Sequence, residues 1–442
     1  AALTTTQVGT LDTTQVKAIT TTAVAAMTTA QVASMSTTQV AALTTGQVAG
    51  LTTTQVSKLT DTNLQAVNTA GIAALTSAQV VSLTTGQVAA ITTTQLQVLT
   101  AGSVGALSTT QVATLSTAQV TALTTGQIQA MATDDVQVLT TSAVAALTTA
   151  QVQALSTGAV NALTTAQVTS LTTSQVSILT TGEVAALNTT QVSALSTDQV
   201  AAFSTSQVAA LTTAQVGTLD TAQVKAIATS AVAAMSTAQV AAMSTTQVAA
   251  LTTGQMAALT ANEVKALSTS QVQALGSTQV NALTNANIAA MTTTQVASLT
   301  AGQVTGLSTA AAASLVTAQV QALSTSQVQA ISTANVAAMS STQLSALTTG
   351  QVSALTTAQV VALETSDVAA LSTGQVAALT TGQVNVLETA DIAAMSTGQV
   401  RALTTAQVSG MAAAQVTNLS SSQVQALTTG NLNALGQEAV QG

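Results

Sequence analysis

The sequence predicts an all-α solenoid of about 55 octapeptide repeats, each folding as a very short capped helix. Three observations support this prediction: an unbroken period of eight residues, a helix-capping pattern inside each octad, and apolar positions that do not alternate. The stretch "AALTTGQVAGLTTTQV" at residues 41–56 shows the period, because the phrase Leu-Thr-Thr-small-Gln-Val occurs in it twice. Short repeats of this kind are typical of solenoids, whose units bury their apolar faces only by stacking.

The period of eight holds along the whole chain. When each octad is numbered from its large apolar residue, position 1 runs from Leu3 to Leu435 with no insertion or deletion. Position 6 is Val from Val8 to Val440, with Leu, Ile, Met or Ala as the only replacements. Because nothing interrupts this register, we expect residues 1–442 to form a single continuous solenoid, itself a fragment of, or a subunit in, a longer array.

The capping pattern sets the helix boundaries within each octad. Position 2 is Thr or Ser in most octads, and Asp or Asn often takes their place, as at Asp12 and Asn188. These four residue types are preferred at a helix N-cap. Position 5 is usually Gln, so that positions 2 and 5 form a capping box, while the apolar residues at positions 1 and 6 form a hydrophobic staple. Each octad is therefore predicted to be a helix of about one and a half turns.

A Thr/Val-rich β-solenoid is the alternative fold, because both residue types favour strands. A strand requires apolar residues at alternate positions, whereas apolar positions 1, 6 and 8 do not share a parity. Since helices this short are marginal in water, successive octads must wind into coils that stack. We expect position 7, which carries Lys17, Lys225, Lys265 and Arg401, to face solvent.

Position 3 is Thr in nearly every octad from Thr5 to Thr429, although Thr has no special merit just inside a helix. We interpret its persistence as a repeated contact between coils, such as a ladder of hydroxyl groups. In addition to the period of eight, three longer segments that start six octads apart, at residues 238, 286 and 334, are similar to one another. This similarity is expected to mark a whole number of solenoid turns.

The composition excludes most functional classes. The chain has no His, Cys, Trp, Tyr or Pro, its single aromatic residue is Phe203, and only 4% of its residues are charged. Without a base beside its many hydroxyl groups, the chain offers no activated nucleophile, so we expect no enzyme activity and no cofactor. The five basic residues lie far apart, which argues against binding to nucleic acid. No run of roughly 18 to 20 apolar residues occurs, so no membrane span is predicted.

Acidic residues come close together at three places in the sequence. These are Asp134 with Asp135, Glu364 with Asp367, and Glu388 with Asp391. Such pairs could bind a hard cation, which prefers several oxygen ligands. We favour the interpretation that they are helix caps and first-turn charges, because the second member of each pair occupies the capping-box position. The sequence therefore predicts no catalytic, cofactor-binding or metal-binding residue.

The chain resembles the short Thr/Ala/Gln/Val-rich repeat tracts of very large bacterial surface or secreted proteins of the adhesin or filament type. The resemblance covers all 442 residues and is one of composition and period. It implies an extracellular or cell-surface structural protein: a stalk, a fibre or a self-associating filament, whose exposed Thr and Ser residues are open to glycosylation. The alternative is a binding module whose regular Thr-rich face recognises ice, polysaccharide or another periodic surface.

Overall fold

The computed structural model describes residues 3–435, which contain 54 α-helices and no strand. The helices are four to seven residues long, and each begins at position 3 of an octad. The prediction of an all-α solenoid is confirmed, and the alternative of a β-solenoid is wrong. The chain divides into two compact units, residues 1–219 and 220–442. Val440, the last residue of the position-6 column, lies outside the described residues.

The first unit contains 27 of the helices. They are α1 (Thr5–Gly9), α2 (Thr13–Ala18), α3 (Thr21–Ala25), α4 (Thr29–Ala33), α5 (Thr37–Ala41), α6 (Thr45–Gly50), α7 (Thr53–Val56), α8 (Asp61–Ala66), α9 (Thr69–Ala73), α10 (Ser77–Val81), α11 (Thr85–Ala90), α12 (Thr93–Val98), α13 (Ala101–Gly105), α14 (Thr109–Val112), α15 (Thr117–Ala122), α16 (Thr125–Ala130), α17 (Thr133–Gln137), α18 (Thr141–Ala146), α19 (Thr149–Gln153), α20 (Thr157–Ala162), α21 (Thr165–Ser170), α22 (Thr173–Ser177), α23 (Thr181–Ala186), α24 (Thr189–Ala194), α25 (Thr197–Ala201), α26 (Thr205–Ala210) and α27 (Thr213–Thr218).

The second unit contains the other 27 described helices. They are α28 (Thr221–Ala226), α29 (Thr229–Val232), α30 (Thr237–Ala242), α31 (Thr245–Ala250), α32 (Thr253–Ala258), α33 (Ala261–Ala266), α34 (Thr269–Ala274), α35 (Ser277–Ala282), α36 (Asn285–Ala290), α37 (Thr293–Ala297), α38 (Ala301–Thr305), α39 (Thr309–Ala313), α40 (Thr317–Ala322), α41 (Thr325–Ala330), α42 (Thr333–Ala338), α43 (Ser341–Ser345), α44 (Thr349–Ala354), α45 (Thr357–Val361), α46 (Thr365–Ala370), α47 (Thr373–Ala378), α48 (Thr381–Asn385), α49 (Thr389–Ala394), α50 (Thr397–Ala402), α51 (Thr405–Ser409), α52 (Ala413–Thr417), α53 (Ser421–Ala426) and α54 (Thr429–Leu435).

The capping box starts these helices, as the sequence predicts. In α6 the hydroxyl oxygen of Thr44 accepts from the backbone N–H of Gln47 at 3.3 Å, and Gln47 Oε1 accepts from the N–H of Thr44 at 2.8 Å. In some octads the cap side chain makes no such bond, and only the position-5 half of the box remains. Their position-2 residues are Ala132, Gly276, Val316, Glu364, Glu388 and Ala412. The N-cap bond is therefore common along the chain but dispensable in single octads.

The corner between successive helices is made by two extended residues, at positions 1 and 2. Leu51 has φ −63° and ψ 139°, and Thr52, the next N-cap, has φ −72° and ψ 156°. No residue in the described part of the chain has a positive φ. The helices therefore end without the left-handed glycine that closes many helices. For this reason the octad needs neither Gly nor Pro at a fixed position.

Within each unit, helices that are three apart in the chain pack against each other, from α1 with α4 to α24 with α27 and from α28 with α31 to α51 with α54. About three octads therefore form one turn of the solenoid. The position-1 and position-6 columns lie in the core, where Leu51 and Val48 are 4% and 1% exposed. Position 7 faces solvent, as predicted. The similarity between segments six octads apart corresponds to about two turns of the solenoid.

Candidate functional site

The most regular polar feature of the molecule is a buried column of glutamine side chains at position 5. Gln47 and Gln127 are each only 1% exposed, and most other members of the column are also buried. A polar amide removed from water must find hydrogen-bond partners, because burying it without them costs free energy. The column therefore indicates a specific arrangement of donors and acceptors between the coils.

Gln199 shows this arrangement. Its Oε1 accepts from the N–H of Ser196 at 2.8 Å, which is the capping-box bond within its own octad. Its Nε2 donates to the carbonyl oxygens of Val168 at 2.9 Å and Leu171 at 2.7 Å. These carbonyls lie at a helix end one turn earlier: that of Val168 also accepts the N–H of Leu171 at 3.2 Å, whereas the helix provides no donor for that of Leu171. We call such a glutamine, bonded both to its own N-cap and to the preceding turn, a glutamine clamp.

Other residue types at position 5 make only part of the clamp. The shorter amide of Asn63 donates to the carbonyl of Met35 at 2.9 Å, but α8 has no capping box. The carboxylate of Glu183 does the opposite: it accepts from the N–H of Thr180 at 2.7 Å but has no amide hydrogen to donate. Gln alone has both the length and the donor, so its chemistry explains its predominance in the column.

The three acidic pairs are each split between surface and core. Asp134, Glu364 and Glu388 are exposed, whereas the second member of each pair is buried in the position-5 column. Those buried carboxylates accept the N-cap N–H in place of Gln, as the helix-cap interpretation requires. The bonds are Ala132 to Asp135, Glu364 to Asp367, and Glu388 to Asp391. Within residues 3–435, no group of three or more acidic side chains gathers into a metal-sized cluster.

The surroundings of Asp135 change the pKa of its carboxyl group. Burial raises its pKa above the ordinary value, the backbone hydrogen bond from Ala132 lowers it, and the neighbouring charge of Asp134 raises it further. The side chain is 2% exposed, so little water reaches the carboxylate. Its charged form is therefore disfavoured in the folded chain.

The basic residues are surface groups. Lys17, Lys225, Lys265 and Arg401 each lie in the last turn of a helix, where a positive charge interacts favourably with the helix dipole. They and Lys58 are all exposed and far apart in the sequence. In this arrangement they serve as solvating charges.

The position-3 threonines make the predicted contact between coils, but through their carbon atoms. A Cβ placed on Gly46 would lie 3.4 Å from Thr21 Cγ2, and one placed on Gly50 would lie 3.5 Å from Thr21 Cβ. The threonine thus lies over positions 4 and 8 of the octad three repeats later. In the described chain no position-3 hydroxyl is seen bonding to another position-3 hydroxyl, so the interaction is mainly packing rather than a hydroxyl ladder.

Sequence reasoning identified the capping half of the clamp but missed the half that joins successive turns. A signal for it was present: a capping box accepts Glu as well as Gln, yet Glu183 and Glu263 are the only glutamates at position 5. That preference indicates that the amide hydrogens are needed. The sequence could not show which carbonyls receive them, because the number of octads per turn was unknown.

Together, the fold and the clamp column define a tandem repeat protein of the all-α solenoid class, with no enzymatic feature among its described residues. The family model of the ALTTAQ repeat matches about four-fifths of the chain, so the protein belongs to the ALTTAQ repeat family. The matched segments are residues 24–61, 56–93, 88–125, 102–133, 128–165, 144–181, 179–213, 195–229, 216–253, 224–261, 248–285, 327–357, 360–387 and 384–421. No curated protein matches the chain. Along residues 3–435, no helix has the length and apolar character needed to cross a membrane.

Proposed function

We propose that this chain is a structural, non-enzymatic repeat protein that forms an extracellular or cell-surface stalk, fibre or self-associating filament. The observation that supports this proposal is the position and bonding of the buried polar side chains. Nearly every buried polar side chain belongs to the position-5 column and holds one turn of the solenoid to another or to its own helix cap. In an enzyme or a small-ligand receptor, several polar groups point into a pocket and bind the ligand. In this chain the buried polar groups instead bond to the protein's own backbone.

The outer surface supports self-association as the main interaction. Positions 2, 3, 4 and 7 provide most of the exposed residues, and they are chiefly Thr, Ser, Ala, Gly and Gln. Because only 4% of the residues are charged, charge repulsion between copies is weak. Nucleic acid is not a partner in this proposal, since the exposed cations are isolated from one another.

Electron cryo-microscopy and sedimentation of the purified 442-residue chain test this proposal. Regular assemblies that grow with protein concentration are the expected result. A variant with four exposed position-7 alanines replaced, Ala185→Glu, Ala201→Glu, Ala249→Glu and Ala257→Glu, should suppress assembly by repulsion. The matched variant with Gln at the same four positions, which adds bulk without charge, should still assemble. A chain that stays monomeric at all concentrations would contradict self-association.

A surface-binding module is the second candidate, and the exposure of the position-3 threonines favours it. Their hydroxyl groups repeat along each unit with few bonds inside the protein. Stacking on sugar rings is not available to this surface, because the only aromatic residue, Phe203, is buried at 3% exposure. Ice or another flat periodic surface is therefore the better partner for this candidate. Thermal hysteresis produced by a monodisperse monomer would support the second candidate over the first.

A further inference from the structure

Two turn-to-turn interfaces in the first unit can be compared octad by octad. In one, residues 188–215 pack on residues 160–187, and we call it the clamped interface. In the other, residues 132–159 pack on residues 104–131, and we call it the unclamped interface. The two are seven octads apart in the same register, and both have apolar residues throughout positions 1 and 6, although Leu147 corresponds to Phe203. The comparison concerns the polar column at position 5, where they differ at three of four sites.

The clamped interface has Gln at all four of its position-5 sites. Each of these side chains donates to backbone carbonyls of the preceding turn. The shortest bonds are Gln191 to Leu163 at 2.6 Å, Gln199 to Leu171 at 2.7 Å, Gln207 to Leu179 at 2.7 Å, and Gln215 to Leu187 at 2.6 Å. The helix ends of residues 160–187 are therefore satisfied from the next turn.

The unclamped interface has Gln at only one of the corresponding sites, where Gln151 donates to the carbonyl of Leu123 at 2.7 Å. The other three position-5 residues are Asp135, Ala143 and Ala159, none of which can donate a side-chain hydrogen in its usual charge state. Their partners by register are the carbonyls of Leu107, Leu115 and Met131. Among the described residues, none of these three carbonyls is seen to receive a side-chain donor.

Elsewhere, the loss of Gln is usually offset by another bond between turns. Where Gly71 replaces Gln, the side chain of Asn68 donates to the carbonyl of Leu43 at 3.3 Å. Three further replacements are Ser77 with Ser103, Ser341 with Asp367, and Thr365 with Asp391. Glu183 and Glu263 lack such a replacement, but each lies between octads that have Gln. The run from Asp135 to Ala159 therefore stands out among the described residues because three of its four sites are neither clamped nor compensated.

We propose that the unclamped interface is a compliant joint, the place where the first unit opens before its other turns when heated or pulled. The apolar columns continue through it, since Leu107 and Leu115 are 6% and 4% exposed. Opening there breaks few hydrogen bonds, and the intact apolar columns favour closing again. A stalk or fibre that opens at one interface under tension can lengthen while its remaining turns stay folded. The inference goes beyond the proposed function and does not depend on cellular location or self-association.

Native-state hydrogen exchange of the 442-residue chain, read by mass spectrometry, tests this inference. Peptides from residues 104–159 should exchange about tenfold faster or more than peptides from residues 160–215, because fewer hydrogen bonds resist local opening. The variant Asp135→Gln with Ala143→Gln and Ala159→Gln should slow exchange in residues 104–159 to the rate of the clamped interface. Equal exchange rates of the two regions in the parent chain would overturn the proposal that the unclamped interface opens first.

A second variant keeps the test decisive if the restored chain does not fold. Gln191→Ala with Gln199→Ala and Gln215→Ala removes the three matching clamps from the other region and should raise its exchange to that of residues 104–159. Peptides from the second unit serve as the internal reference in both variants. If removal of three clamps leaves exchange unchanged, the clamps do not control opening and the inference fails.

Discussion

The clamped and unclamped interfaces share their fold and register, and their position-5 columns differ at three side chains. At Gln199 the side-chain amide bonds to its own N-cap and to two carbonyls of the preceding turn at 2.9 Å or less, whereas the side chain of Ala143, at the equivalent place, has no group that could make either bond. The comparison separates two contributions to the solenoid. Apolar burial determines that the turns stack, and the glutamine column determines how firmly each turn is held to the one before.

The largest expected effect comes from the shared apolar column. Leu115→Ala in the unclamped interface and Leu171→Ala in the clamped interface should each lower the free energy of local opening by about 2 to 5 kcal/mol. Both side chains are at most 5% exposed, so each substitution leaves a cavity of similar size. Hydrogen exchange of the matched regions measures both losses. A much smaller loss at one site would show that the apolar columns are not equivalent.

The next effect isolates the amide donor. Gln199→Glu keeps the length and the bond from the N–H of Ser196 but removes the hydrogens that bond to Val168 and Leu171. We expect the free energy of local opening to fall by about 1 to 3 kcal/mol at neutral pH, because buried carbonyls lose their donor.

Glu183→Gln is the reverse change in the same region and should raise that free energy. Gln199→Asn, which can still donate as Asn63 does, should cost less than Gln199→Glu. If the Glu and Asn variants were equally stable, the bonds to the preceding turn would not account for the preference for Gln.

These residues also show how much of the molecule could be predicted from the sequence. The helix in each octad was predictable because its signals are local: a cap at Thr44 and a box partner at Gln47 lie three residues apart. The clamp was not, because Gln199 bonds to Leu171, and a pairing across 28 residues depends on how many octads make a turn. The role of the position-3 Thr depended on the same unknown number. The capping-box role of position 5 was predicted correctly. Its bonds to the preceding turn were not, because they depend on how the coils pack in three dimensions.

A smaller effect should appear at Asp135 in the unclamped interface. Asp135→Asn removes a buried carboxyl and can supply a donor to the carbonyl of Leu107, as Asn63 does for Met35. We expect the free energy of local opening to rise by about 1 kcal/mol at neutral pH. Asp198→Asn, which removes an exposed carboxyl from the clamped region, is the matched control and should have little effect. A destabilised Asp135→Asn variant would contradict the equivalence with Asn63.

The same variant should lose its advantage in acid. Since burial and Asp134 raise the pKa of Asp135, the parent gains stability as the pH falls and the carboxyl becomes neutral. The gap between the parent and Asp135→Asn should therefore be widest at neutral pH. It should shrink as the pH falls through the raised pKa towards the ordinary value of 3.8. Exchange or thermal unfolding across this pH range measures the gap, and a gap independent of pH would mean that the carboxyl charge is not its cause.

The smallest effect is expected at position 3, where the two interfaces should behave alike. Thr133 and Thr189 occupy matching octads, and Thr→Val at either site keeps the branched shape that packs on the next turn while removing the hydroxyl. If the contact is packing, stability should change by no more than about 0.5 kcal/mol. Thr→Ala, which removes the methyl contact as well, should be the more destabilising change at both sites. A larger loss with Val than with Ala would instead assign the threonine column to hydrogen bonding. Equal results at the two sites would confirm that the position-3 contact does not depend on the clamps.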